Sequence, residues 1–324
     1  MNSMWFGAAL IAVGVLLFGL LGRSLFNRAR GWGFRAFALI VLLPPAGLAL
    51  LSGLMRVSAA NGLPPSPEQR TLYRGVSYER RVALAPDPQV THIVRVELEA
   101  KGISLLVTPG DAAKLLPVAA KTASEQLEEH KLEIGIVGGT FAPGYQSSPW
   151  AEPLPAGSFV KPSGRTVSRG VEYGKGDGPA SLYFTDHNDA RIGDAPSSVY
   201  NAITGDCVLT GVDAAPAGCP LANERTARAA VGLDASKQRL TLVVVDGHRD
   251  GVAPGVTADE LAALLTELEV VHSIHLGVGP QAELVVRGED GTIAPLSVPM
   301  GLGRAGSERR VGAMLGVQAI SRLE

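Results

Sequence analysis

The 324-residue sequence predicts a mixed α+β domain behind an N-terminal hairpin of two membrane-spanning helices. Three observations predict this. Met4–Leu21 is 18 residues without a charge and Ala36–Met55 is 20 more, each close to the roughly 20 apolar residues that cross a bilayer. Beyond them, short β-type runs are interspersed with amphipathic helical patterns that open on Thr-x-x-Glu capping boxes. Finally, 39 Gly and 22 Pro interrupt the chain too often for a helical bundle.

Arg23, Arg28, Arg30 and Arg35 follow the first apolar run, and Pro44 and Pro45 should kink the second. A cleavable leader would carry its positive charge ahead of the apolar run, and Met1–Asn2–Ser3 has none. The positive-inside rule puts the Arg-rich loop in the cytoplasm. The expected arrangement is therefore a bacterial inner-membrane anchor touching lipid through residues 4–21 and 36–55. Residues 1–58 form the hairpin, 59–73 a Pro-rich linker, and 74–324 a periplasmic domain.

Charge supports the division. Residues 1–60 hold five Arg and no acid, whereas the remainder holds 24 basic and 31 acidic residues. A pI near 6.3 and only 5% aromatic residues argue against a nucleic-acid partner. The two cysteines, Cys207 and Cys219, lie close together in the proposed extracytoplasmic part. That suggests a disulfide, the alternative being two buried thiols. No Cys/His cluster has zinc spacing, and nothing in the sequence calls for a metal or other cofactor.

Within the domain, Thr91–Leu98 alternates like a half-buried strand, and Gly102–Pro109 could pair with it across the Glu99–Lys101 connection. Thr122–Glu125 opens a short helix. Leu132–Val137 reads as a buried strand running into Gly138–Gly139, and Leu240–Val245 as another ending at Asp246. Thr257–Glu260 opens a helix whose Leu261, Leu264, Leu265 and Leu268 share one face, to be packed on a sheet. Ser273–Leu276 and Ala282–Val286 are further strands. Ala142–Gly178, rich in Gly, Pro and Ser, is expected to be loops over one face.

A resemblance emerges in the C-terminal half. The run from Val245-Asp-Gly-His-Arg-Asp-Gly to Gly255-Val-Thr-Ala-Asp-Glu-Leu-Ala262 resembles a stretch of the phosphodiester glycosidase family, V-D-G-R followed by a turn and G-M-T-L-x-E-L-A. Other pieces follow in the family's order: Gly75-Val-Ser-Tyr78, Ile136-Val-Gly-Gly-Thr-Phe141, Tyr200-Asn-Ala-Ile-Thr-Gly205, Arg228-Ala-Ala-Val-Gly232 and Glu308-Arg-Arg-Val-Gly-Ala-Met-Leu-Gly-Val317. The resemblance spans residues 74–320. It implies a phosphodiester-glycosidase-like domain, and a sugar-1-phosphodiester or polysaccharide of the envelope or exopolysaccharide as partner. Either the domain cleaves that bond or it is an inactive glycan-binding relative.

The family's N-L-D-G-G-G-S motif is degenerate here. It reads His275-Leu-Gly-Val-Gly-Pro-Gln281, with Gly277 in place of the carboxylate and Gly279 surviving. Val137 replaces an Asn, and His248 an Arg unless Arg249 substitutes for it. The resemblance therefore implies Asp246, His275 and His248 as catalytic candidates. Gly138, Gly139, Gly205, Arg228, Arg249 and Gly279 are the substrate-binding candidates. A guanidinium fork at Arg228 suits phosphate. Asp246 is the carboxylate for proton handling, its alternative being a turn-forming Asp-Gly. His275, two residues before Gly277 on the same strand face, is the candidate to replace the lost acid. Glu260 reads better as the capping partner of Thr257. Gly301–Gly306 matches G-x-G-x-x-G but has neither a preceding apolar strand nor a following acid, so it is set aside.

Overall fold

The computed structural model describes residues 3–26, 31–32, 40–41, 43–53, 64–85, 87–142, 154–176, 180–249, 251–299 and 306–321. The chain forms two compact units: Met1–Leu63 with His248–Val252, and Pro64–Gly247 with Ala253–Glu324.

In the first unit, α1 spans Ser3–Phe26 and carries Arg23 in its last turn. Residues 43–53 are also helical. A Cβ on Gly14 would stand 3.0 Å from Leu50, so the missing side chain lets the two helices approach. The expected membrane hairpin is corrected here: among the described residues, no helix is long and apolar enough to cross a membrane. The second predicted span is described as helix only at 40–41 and 43–53. A run like the latter rises about 16 Å, roughly half the hydrocarbon thickness. Pro44 and Pro45 stand at the head of that run, where missing N–H groups cost little. Arg28, Arg30 and Arg35 lie outside the described residues.

The balanced α+β expectation is corrected as well. The second unit is mostly antiparallel β-sheet, with two α-helices among its described residues, α2 (Ala123–His130) and α3 (Ala258–Glu267). Both predicted capping boxes form, Thr122 with Glu125 and Thr257 with Glu260. The predicted helices are there, but they are only 8 and 10 residues long. The strands between them are more numerous than the periodicity suggested.

The largest sheet has the order β1 (Glu68–Tyr73), β2 (Val76–Ala83), β3 (Gln89–Glu97), β16 (Arg239–Val245), β15 (Arg228–Leu233), β17 (His272–Val278), β14 (Cys207–Thr210). A second sheet runs β19 (Ile293–Pro295), β18 (Leu284–Arg287), β6 (Ile134–Val137), β20 (Met314–Gln318), β4 (Ser104–Val107). A third runs β10 (Val171–Gly174), β9 (Thr166–Ser168), β13 (Asn201–Thr204), β11 (Ser181–Phe184), β12 (Ala190–Ile192). A small fourth joins β5 (Val118–Ala119), β8 (Phe159–Pro162) and β7 (Phe141–Ala142).

The three larger sheets share one core. Val94, Val96, Leu242 and Val244 of the first meet Ile134, Ile136, Leu284 and Leu315 of the second and Leu182 and Phe184 of the third. On the opposite face of the first sheet, Leu261 and Leu265 of α3 cover Ile93, Val243 and Val245. Each such leucine contributes about 2 kcal/mol by burial. On the opposite face of the second sheet, α2 buries Ala123 and Leu127 against Val137, Val285 and Met314.

Two strand expectations need correction. Gly102–Pro109 supplies β4, but β4 pairs with β20 rather than β3, because β2 and β16 already occupy both edges of β3. Within Ala142–Gly178, residues 143–153 and 177–178 lie outside the described residues, and the rest contains β8, β9 and β10 rather than loops alone. These strands are three or four residues long, too short for a period to show.

Cys207 and Cys219 are joined by a disulfide with a Cα–Cα distance of 5.2 Å, packed in the α3 layer. Closing a loop of this size removes about 3 kcal/mol of unfolded-chain entropy in the loop-closure account. A Cys207→Ser, Cys219→Ser double variant is expected to melt ~10 °C lower. An unchanged melting temperature would show that the bond contributes nothing.

Candidate functional site

Strands β15, β16 and β17 end together, with Arg228 opposite Val245 on one side and Val278 on the other. Asp246 follows β16, and its backbone N–H donates to Val90 O at 3.0 Å. Its side chain is 1% exposed. Oδ1 accepts the Val298 N–H at 2.9 Å and lies 3.4 Å from His92 Nε2. Oδ2 is buried with no hydrogen-bond partner. On the far side of His92, Nδ1 lies 2.9 Å from the Tyr78 hydroxyl, with the two rings nearly parallel. Burial pushes the Tyr78 phenol up to about 12, so it stays protonated. Tyr78, His92 and Asp246 thus form a buried line across three strands.

A second buried line lies on β15 and β17. His275 Nδ1 is 2.9 Å from Asp206 Oδ2, and His275 Nε2 is 3.3 Å from Arg228 Nη1. Guanidinium nitrogens only donate, so Nε2 must be the acceptor and the ring proton sits on Nδ1, facing the carboxylate. Asp206 is fixed in turn by donating its backbone N–H to His275 O at 2.8 Å. Gly205 makes this possible: a Cβ there would stand 2.2 Å from the same oxygen.

Arg228 is fully buried. Nε donates to Val256 O at 2.8 Å, Nη1 to Pro220 O at 3.1 Å and to His275 Nε2, and Nη2 to Leu221 O at 2.5 Å and Glu224 O at 3.2 Å. Burial lowers its proton affinity, which Asp206, Glu224 and Glu260 oppose. A guanidinium has five N–H groups, and five protein acceptors take them. In this arrangement Arg228 holds the 220–224 turn and Val256 rather than presenting a fork to phosphate. His275 likewise has both nitrogens occupied.

The glycines mark close approaches. Gly139, with φ of 80°, donates its N–H to Leu276 O at 2.8 Å, and a Cβ on Gly138 would crowd Leu276 and Ile203. Gly279, with φ of 60°, donates to Ala227 O at 2.8 Å. A Cβ on Gly277 would stand 3.0 Å from both Gln281 Cβ and O, so the turn has closed over the position where the family carries its acid. His248, with φ of 59°, and the largely buried Arg249 are on the turn His248–Val252, which belongs to the other unit. Residues 301–305 of the set-aside glycine motif lie outside the described residues. Among the described residues, no group of three or more His, Cys, Asp or Glu is placed to hold a metal ion.

Sequence reasoning missed three of these groups. Asp206 carried no signal beyond its place beside Cys207. His92 did carry one, since it falls in phase with the core residues Val94 and Val96. Glu283 is the third, at the head of the apolar strand β18. It is 0% exposed, and neither carboxylate oxygen has a hydrogen-bond partner. Burial, then the charge of Glu308, pushes it up to about 9. Glu308 is held by the backbone N–H of Ser124 at 3.0 Å and its hydroxyl at 2.5 Å, in the first turn of α2.

This arrangement has recognisable relatives. The catalytic domain of zebrafish N-acetylglucosamine-1-phosphodiester α-N-acetylglucosaminidase, auto-inhibited by its pro-peptide, superposes with a TM-score of 0.54 at 16% identity, covering 80% of this chain and 92% of that one. A hypothetical protein from Synechocystis gives 0.57 at 13% identity and covers 79% of this chain, which in turn spans only 64% of it. At such identities these likenesses show the fold. No curated protein sequence matches the chain. The phosphodiester glycosidase family model matches residues 130–318, more than half of the sequence and every strand from β6 to β20, and the chain therefore belongs to the phosphodiester glycosidase family.

Proposed function

We propose that the domain hydrolyses the bond between a sugar's anomeric carbon and a phosphodiester, in a glycan of the cell envelope or exopolysaccharide. The observation that carries this reading is Asp246. Its carboxylate sits at the V-D-G position of the family pattern, with Oδ1 accepting the Val298 N–H and Oδ2 buried and unpartnered. Such asymmetry leaves one oxygen to exchange a proton or face an oxocarbenium-like carbon. The Cys207–Cys219 disulfide supports an oxidising, extracytoplasmic setting.

A second reading, recognition without cleavage, is favoured by Gly277, where no carboxylate is present and Gln281 leaves little room for one. Incubating the full chain with a panel of sugar-1-phosphodiesters and following products by mass spectrometry separates the two. Sugar release is expected from the wild type, falling about 100-fold or more in Asp246→Asn with folding retained. Binding of a diester without release would establish the second reading. Equal turnover by the folded Asp246→Asn protein would remove Asp246 from the chemistry.

A further inference from the structure

The glycosidase reading leaves open how the two oxygens of Asp246 are kept apart, one held by the protein and one left to react. The strand register supplies a polar row that ends at this carboxylate. Glu68 of β1 stands opposite Arg80 of β2, Arg80 opposite His92 of β3, and His92 opposite Val244 of β16, two residues before Asp246. Tyr78 and Arg80, two apart on β2, share a face. Their neighbours on that face are apolar, among them Val94, Val96, Leu242 and Val244. The row therefore crosses the sheet from its edge strand to the end of β16 through an otherwise hydrophobic layer.

The outer end of the row fixes where the proton sits at its inner end. Arg80 Nη2 lies 2.9 Å from Glu68 Oε2, its Nε donates to Ser66 O at 2.8 Å, and it also donates to the Tyr78 oxygen. The Arg70 guanidinium lies 5.6 Å from the centre of the Tyr78 ring. With its oxygen accepting from Arg80, Tyr78 has its own proton to give, and the acceptor 2.9 Å away is His92 Nδ1. A neutral imidazole carries a single N–H. That proton is then on Nε2, which faces Asp246 Oδ1 at 3.4 Å and has no other partner. An imidazolium would carry a proton on Nε2 as well, so a donor faces Asp246 in either state.

We propose that His92 is a positioning residue, which directs its Nε2–H at Asp246 Oδ1 and so leaves Oδ2 as the reacting oxygen. The inference rests on the glycosidase reading. The Val298 N–H already reaches Oδ1 at 2.9 Å. A second donor on the same oxygen, from β3, stops the carboxylate from rotating to exchange its two oxygens. The 3.4 Å separation is longer than a formed hydrogen bond, and contacts of this kind at reacting groups tighten as the substrate complex forms. His92 acts only through Asp246, so its own burial, at 2% exposure, is no obstacle to the role.

The test has a spectroscopic arm and a kinetic one. In the full chain carrying isotope-labelled histidine, the His92 ring, assigned by the loss of its signals in His92→Gln, is expected to hold its proton on Nε2 at pH 8. A ring protonated on Nδ1 alone overturns the inference whatever the activity. The kinetic arm uses a sugar-1-phosphodiester cleaved by the wild type. His92→Phe should lower kcat about 30-fold with KM within roughly threefold of wild type, since misplacing a reacting group acts on the chemical step. His92→Gln, whose amide N–H can stand where Nε2–H stood, should recover kcat to within about fivefold of wild type, and Tyr78→Phe, which lets the ring proton move to Nδ1, should fall about tenfold. Undiminished kcat in folded His92→Phe, or equal losses in His92→Phe and His92→Gln, overturns the inference and leaves the glycosidase reading standing. A wild-type chain that cleaves no diester overturns both.

Discussion

Arg228→Leu is expected to lower the melting temperature of the domain by about 10 °C or more, while ligand affinity below the transition stays within a few-fold of wild type. The guanidinium joins four backbone carbonyls, those of Pro220, Leu221, Glu224 and Val256, to the imidazole of His275. Removing it leaves these acceptors buried without donors, and leaves the Asp206–His275 pair without the positive charge behind it. Breaking a buried charged network in this way typically costs ~3–5 kcal/mol, and for a domain of this size each kcal/mol corresponds to roughly 2–4 °C. Arg228→Lys should recover only part of the loss, because an ammonium has three donors and no fork. Thermal denaturation together with diester binding at low temperature checks both halves. Loss of binding at an unchanged melting temperature would return the guanidinium to the substrate.

The second large effect is a stability that declines with pH. Glu283 is pushed from 4.5 to about 9 in the native chain, chiefly by burial. The folded state therefore holds a proton that the unfolded state releases above pH 4.5. The stabilising contribution is complete below that value and is lost as pH rises towards 9, at on the order of 1 kcal/mol per pH unit. Urea denaturation of the wild type at pH 6, 7, 8 and 9 should show this fall superimposed on the other ionisations. Glu283→Leu should remove the slope and raise stability at pH 8, since an apolar side chain has no charge to strand. A wild-type profile parallel to that of Glu283→Leu would mean that the native carboxyl is ionised throughout.

Much of the scaffold around these residues was legible because its signals are local. The apolar run Leu240–Val245, the capping boxes at Thr122 and Thr257, and the spaced leucines of α3 each announce an element without reference to distant chain. The N-terminal apolar runs were read by the same local logic and misled it, since length without charge was taken for a transmembrane span. The pairing of β4 with β20 could not be read, because it depends on which edges other strands leave open. The role of Arg228 was hidden for a related reason. Its residue type suits phosphate, but its partners are backbone carbonyls, which every residue carries and no pattern distinguishes. Glu283 lay in an apolar run whose flanks give no hint that its carboxyl would be sealed in without partners.

The order of strands has a consequence for how the molecule is made. β3 finds its neighbour in β16, with Val94 set against Leu242, and β4 is joined to its sheet only through β20, near the end of the described chain. A nascent chain emerging residue by residue would expose an unpaired edge on β3 until β16 is made, and on β6 and β4 until β20 is made. Such non-local pairing makes for slow folding and a long window for aggregation. It also leaves Cys207 and Cys219 accessible to one another until the core closes around them.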